Sequence, residues 1–233
     1  KMHSAVFGVN PEAAATILAQ YLQGYLPVGE AEVIDLDEEA YRRGEWTLLL
    51  YGLARTPQEP NLVQTGKAMV TAVDDESLRE EMAEYFQELM TEAPETLFLF
   101  GPGGTTHGIC RHLGVESTLL GIDGLRAGEL VGRDLNEDGL LELLDHHEKA
   151  RLIVSPIGAQ GFILGRGNLQ LSPDVLRRIG LVNVTVVATP AKLRATPTLR
   201  ADTGDAELDG YFTEKGHLLV VAGYRMMKLH PIQ

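Results

Sequence analysis

The sequence predicts an α/β fold: a mainly parallel sheet flanked by helices, with extra β-strands besides. Three observations lead there. Short apolar runs recur along the chain at Thr96–Phe100, Arg151–Ser155, Val184–Ala188 and Leu218–Ala222, each of strand length. Segments of helical periodicity lie between them, and strands alternating with helices are the pattern of a parallel sheet. Glycine-rich turns follow two of the runs, where a strand must hand over to the next element.

In chain order, Asn10 to Gly24 reads as a helix. Asn10 suits the N-cap, Pro11 the first helical position, and Glu12 the positive helix end. Ala13, Ala14, Ile17, Leu18, Tyr21 and Leu22 recur at helical spacing, and Gly24 closes the run. Val33–Leu36 and Leu48–Leu53 read as strands separated by a charged stretch, Asp37 to Glu45. Thr56 to Gly66, with Pro57 and Pro60, reads as a loop and a boundary. Asp74 to Glu92 is a helix with Leu78, Met82, Tyr85, Phe86 and Leu89 on one stripe and glutamates opposite. After the Thr96–Phe100 strand come a helix over His107–Leu113, a strand over Thr118–Ile122 and a helix over Glu137–His146. Ser172 and Pro173 open a helix through Ile179. The expected division is 1–60, a segment of strands and helix; 61–195, an α/β domain with the glycine turns; and 196–233, a β segment returning to the first part.

Of the 233 residues 33 are acidic and 20 basic, a net charge of −13, which repels a nucleic-acid backbone and excludes that class of partner. A local pocket for a small phosphorylated ligand is compatible with this balance, because it needs only a few groups. Cys110 is the only cysteine, so no intrachain disulfide forms, and no apolar run approaches the ~18 residues of a membrane span. The expected compartment is the cytoplasm, with no membrane partner. The chain begins at Lys1 and runs at once into strand-like sequence, so it is expected to be processed, truncated or cut from something longer.

The sharpest local signal is Gly101-Pro102-Gly103-Gly104-Thr105-Thr106 between a strand and a helix. Backbone N–H groups at a helix start favour an anion, and the two hydroxyls add donors. No Lys-Ser/Thr pair follows at the Walker offset, and the third glycine of a dinucleotide fingerprint is missing. A tight connection fits the same residues. The second signal is Ser155 to Asn168, with Gly158, Gly161, Gly165 and Gly167 closely spaced. So many glycines make little sense as packing and suggest close backbone approach to a ligand. Arg166, between two of them, is a fork of donors suited to phosphate or carboxylate; an arginine satisfying carbonyls in a twisted turn is the alternative. Asp202, Asp205, Glu207 and Asp209 on a glycine turn suit Mg²⁺ less well than a solvated hairpin. The pairs His146/His147 and His107/His112 do not share a helix face for a metal, Cys110 reads as an inert buried thiol, and Ser155 lacks a nucleophile elbow.

Taken together these motifs resemble the ATP-NAD kinase-like family, predicted polyphosphate- or ATP-NAD kinases whose relatives include a protein encoded in acetoin-catabolism clusters. The resemblance runs from Lys1–Phe7 with Asn10–Ala14, through Glu32–Glu38, Gly101–Thr106, Leu119–Asp123 and Asp134–Glu137, to Pro156–Asn168, Leu171–Pro173 and Val187–Leu193. It implies the C-terminal portion of an NAD kinase-like fold. It also implies transfer of a phosphoryl group from ATP or polyphosphate to the 2′-hydroxyl of NAD, giving NADP, with Mg²⁺ and assembly as a homo-oligomer. The family's GGDGT motif, expected to carry the base, is absent from the 233 residues. The N-terminal catalytic domain is therefore expected to precede Lys1, and this chain to bind nucleotide without catalysing by itself. Carried over residue by residue, the binding candidates are Gly101, Gly103, Gly104, Thr105, Thr106, Asn136, Gly158, Gln160, Gly161, Gly165, Arg166, Gly167, Asn168 and Lys192. Asn136 is also placed to be a helix N-cap. Two other functions stay open: a non-catalytic nucleotide-binding sensor module, and a kinase of another small alcohol or lipid.

Overall fold

Polar periodicity and strand-length apolar runs resolve into two compact units, Lys1–Met69 and Val70–Gln233, in a computed structural model of the chain. The structure describes residues 6, 8, 11–36, 39, 42, 48–57, 73–157 and 160–233.

In the first unit, helix α1 (Pro11–Leu22) starts at the proline and buries Ala13 and Ile17 on one side. The expected cap, Asn10, lies outside the described residues. Strands β1 (Val28–Leu36) and β2 (Leu48–Pro57) form an antiparallel ladder running from Val28↔Pro57 to Leu36↔Leu48. The register shifts after Val33↔Gly52, so Tyr51 is an extra residue and β2 bulges there. Both strands are longer than the apolar runs suggest, because Val28–Glu32 and Ala54–Pro57 pair through backbone groups that hydropathy does not report.

The second unit opens with α2 (Val73–Glu92) and β3 (Leu97–Phe100). Then follow α3 (Gly104–His112), β4 (Asp123–Arg126), β5 (Glu129–Gly132), α4 (Glu137–Asp145) and β6 (Ala150–Val154). Beyond them lie β7 (Phe162–Leu164), α5 (Pro173–Ile179), β8 (Val184–Val187), α6 (Pro190–Ala195), β9 (Arg200–Ala201), α7 (Ala206–Lys215), β10 (His217–Gly223) and β11 (Met226–Pro231). Seven strands form one sheet in the order β11-β10-β8-β6-β3-β4-β5, and β7 pairs with β9 separately. The neighbours β3, β6, β8 and β10 are parallel, which is the expected mainly parallel sheet; the antiparallel β11, β4 and β5 are added at its two sides.

Alternation along the strands sorts the core into two layers. Leu97, Leu99, Leu152, Val154, Val186 and Val220 point to one face, where Leu140, Leu144, Val175, Leu176, Leu208 and Phe212 cover them from α4, α5 and α7. Phe98, Phe100, Ile153, Val187 and Val221 point to the other, against Met82, Phe86 and Met90 of α2 and Ile109 of α3. Phe86 meets Phe100 edge to face with centroids 5.7 Å apart. Being covered on both faces is why β3 reads as an unbroken apolar run.

Two expectations change. Thr118–Ile122 is a loop, and the strand starts at Asp123. The reason is the buried Asp123 carboxylate: Oδ2 accepts from Thr118 N at 2.6 Å and Thr118 Oγ1 at 2.8 Å, and Oδ1 from Asp134 N at 2.9 Å. These bonds wrap the loop around Asp123 instead of extending it. The second change is at the end of the chain, where residues 196–233 supply β9, α7, β10 and β11 to the second unit. There β10 pairs in parallel with β8 and completes the main sheet.

Candidate functional site

Three parallel strands, β3, β6 and β8, deliver their carboxyl ends to the same side of the sheet, the side on which open α/β sheets form ligand crevices. At the end of β3, Gly101 N donates to Ile153 O at 2.8 Å, and Gly103 N to Leu119 O at 2.9 Å. Gly103 has φ +127°, a conformation a residue with Cβ rarely adopts. Helix α3 then begins at the exposed Gly104 with no side-chain cap. Its first-turn N–H groups carry the positive end of the helix dipole, which favours an anion. Thr106 turns its hydroxyl back to Gly103 O at 2.9 Å and so braces the turn.

The ends of β6 and β8 complete the arrangement. Thr189 caps α6 by accepting from Lys192 N, with Pro190 as the first helical residue. That cap aims the Lys192 side chain back across the strand ends. Its Nζ donates to Ser155 Oγ at 2.8 Å and to Thr105 Oγ1 at 3.3 Å. A cation and two buried hydroxyls, from three different strand ends, thus meet beside the start of α3. Lys192 and Thr105 were candidates from sequence. Ser155 was missed because a serine before proline matches no nucleophile motif; its place at the end of an apolar strand was the available signal.

The second glycine-rich stretch has a different explanation from the expected one. A Cβ on Gly161 (φ +78°) would lie 2.3 Å from Thr198 O, and one on Gly165 (φ +90°) 1.6 Å from Asp202 O. Gly167 (φ +84°) lies against Ile157, where a Cβ would come within 3.0 Å. The close approach is therefore made by the chain itself, and packing does account for these glycines. Gly158 lies outside the described residues, and Gln160 is half-buried at the exit of the turn. Asn168 is buried, donates from Nδ2 to Ile163 O at 2.9 Å, and leaves Oδ1 buried with no partner among the described residues. Arg166 donates from Nε to Asp202 Oδ2 at 3.2 Å and stacks over the Phe162 ring at 4.5 Å from its centroid.

The remaining candidates have local roles in the structure. Asn136 caps α4, its Oδ1 accepting from Gly139 N at 2.9 Å. Asp205 caps α7 through Glu207 N and Leu208 N and also pairs with Arg177. The backbone N–H of Leu208 and then the Arg177 guanidinium hold the Asp205 carboxyl below its usual value. Asp209 accepts from Thr203 N and Oγ1, and Asp202 from Arg166. These carboxylates are engaged one by one and do not fit a Mg²⁺ ligand set, and no group of three metal-ligating side chains occurs among the described residues. His107 Nδ1 sits 2.9 Å from Ser117 Oγ, and burial, then the Arg111 cation, lowers its pKa. Burial pushes the Cys110 thiol up to about 12. No described helix is long and apolar enough to cross a membrane.

No curated protein and no solved structure matches the chain. The family model described as the ATP-NAD kinase C-terminal domain matches residues 94–232, a span that starts just before β3 and takes in Thr105, Ser155 and Lys192, the glycine-rich stretch and the whole main sheet. By that match, over more than half its length, the chain belongs to the ATP-NAD kinase C-terminal domain family.

Proposed function

We propose that this chain supplies a phosphate-binding crevice of an NAD kinase-like phosphotransferase, acting on ATP or polyphosphate as donor and the 2′-hydroxyl of NAD as acceptor. The observation that carries the reading is Lys192 held between Ser155 and Thr105 at the uncapped start of α3. Phosphoryl transfer asks a protein chiefly for positioning and for donors around the moving charge. Lys192 offers a cation there, the first turn of α3 offers N–H groups, and the two hydroxyls fix the ammonium so that little reorganisation is needed on binding. Arg166 and Asn168 extend the proposed contacts along the glycine-rich stretch. No step is assigned to a metal, since the described carboxylates do not form a site for one.

A second reading, a nucleotide-binding sensor without chemistry of its own, is favoured by Asp123. This buried carboxylate lies opposite Phe100 at the end of β3, and its oxygens accept three hydrogen bonds from Thr118 and Asp134 that hold the neighbouring loop, a role in the fold that needs no chemistry. Calorimetric titration with NAD, NADP and ATP tests both. Saturable binding weakened about tenfold or more by Lys192→Met supports the crevice. Binding without any NADP formed in a protein bearing GGDGT selects the sensor. Binding unaffected by Lys192→Met refutes both as sited here.

A further inference from the structure

We propose that Arg166 is a pre-set anion clamp for a phosphate group of the ligand, and that Asp202 and Phe162 are positioning residues that hold its Nη edge outward. The choice of phosphate rests on the nucleotide reading above. A guanidinium carries five N–H donors in one plane. Here Asp202 Oδ2 takes Nε at 3.2 Å and Cζ sits over the Phe162 ring, 4.5 Å from its centroid. The two Nη groups have no partner among the described residues, and about a third of the side chain is exposed.

The bases of the two side chains are clamped as well. Gly165 lies so close to Asp202 that a Cβ would come 1.6 Å from its carbonyl oxygen, and Asp202 N donates to Leu164 O at 3.2 Å. Further back along the same β7–β9 pair, Arg200 N donates to Gly161 O at 2.9 Å. Partner carboxylate, ring and backbone thus restrict the guanidinium before any ligand arrives. As a half-exposed ion pair the Arg166–Asp202 contact adds little stability. Its consequence is orientation: a paired Nη edge meets two oxygens of one phosphate without the entropy cost of ordering a free arginine.

The probe is inorganic tripolyphosphate, titrated calorimetrically into the full chain. Arg166→Ala is expected to weaken its binding by about tenfold to a hundredfold, the value of one or two charge-assisted hydrogen bonds. Arg166→Lys should fare nearly as badly, since it keeps the charge and loses the fork. Asp202→Ala should weaken binding by about tenfold alone and by nothing further in the Arg166→Ala background. Asp202→Asn, whose amide oxygen still accepts from Nε, should restore most of the loss. An Asp202→Ala effect that persists without Arg166 would show a merely structural role and overturn the proposal, as would tripolyphosphate binding that is absent or indifferent to Arg166. Tripolyphosphate held by Arg166 while NAD, NADP and ATP fail to bind would sink the nucleotide reading and leave the clamp standing. Nucleotide binding undiminished in Arg166→Ala would do the reverse.

Discussion

Gly165→Ala separates packing from ligand access at the glycine-rich stretch. At φ +90° a residue with Cβ carries about 1–2 kcal/mol of strain. The new methyl would also sit 1.6 Å from Asp202 O, a backbone atom with no rotamer to change. Relief requires β7 and β9 to move apart, which adds the cost of overpacking, about 1–3 kcal/mol and toward the upper end here. Gly204→Ala is the matched control: φ is +79°, but nothing lies within 4 Å of the added carbon, so only the conformational strain applies. Thermal unfolding followed by far-ultraviolet circular dichroism should place Gly165→Ala about 2–12 °C below Gly204→Ala. Amide exchange should locate the damage at Asp202 N–H, which bonds to Leu164 O. Equal midpoints for the two variants would refute the claim that the chain's own backbone requires this glycine.

Two further predictions concern titration. Asp205 has a folded pKa below its usual 3.8, so its contribution is complete above that value and is lost as pH falls through the depressed one. The difference in Tm between the wild type and Asp205→Ala should therefore be full at pH 7 and shrink progressively below pH about 4; a difference that grows on acidification would contradict the assignment of the cap and the Arg177 pair. Cys110, raised to about 12 by burial, should resist iodoacetamide at pH 8 in the folded chain and react once urea unfolds it. Rapid alkylation of the native protein would show that the α3 packing is misjudged.

The parallel core was legible because β3, β6, β8 and β10 are apolar on both faces and each is followed by helical periodicity or a glycine turn. The caps were legible too: Ser172 with Pro173 marks the start of α5 as expected. What sequence hid has physical causes. The β4–β5 hairpin turns on Ala127 and Gly128, both at positive φ, and Ala127 gives no sign that it adopts that conformation. The exposed β11 shows no alternation because it flanks the sheet. The Thr118–Ile122 loop looks like a strand until the three bonds of Asp123 are seen. The Gly101–Thr106 turn and Lys192 are both legible as candidates, but only tertiary structure joins residues so distant in sequence. Arg166 is legible as a donor fork; its partners Asp202 and Phe162 are not, since Asp202 reads as part of an acidic turn and Phe162 as one apolar residue within the glycine-rich stretch.

The most direct measurement is a ¹⁵N-resolved titration of the chain with ATP, reading the backbone amides of Gly104, Thr105 and Thr106. The crevice account predicts saturable shifts concentrated on these first-turn amides of α3, lost in Lys192→Met while the rest of the spectrum is preserved. Saturable binding that leaves these amides unmoved, or that survives Lys192→Met unchanged, would place the nucleotide elsewhere and contradict the account.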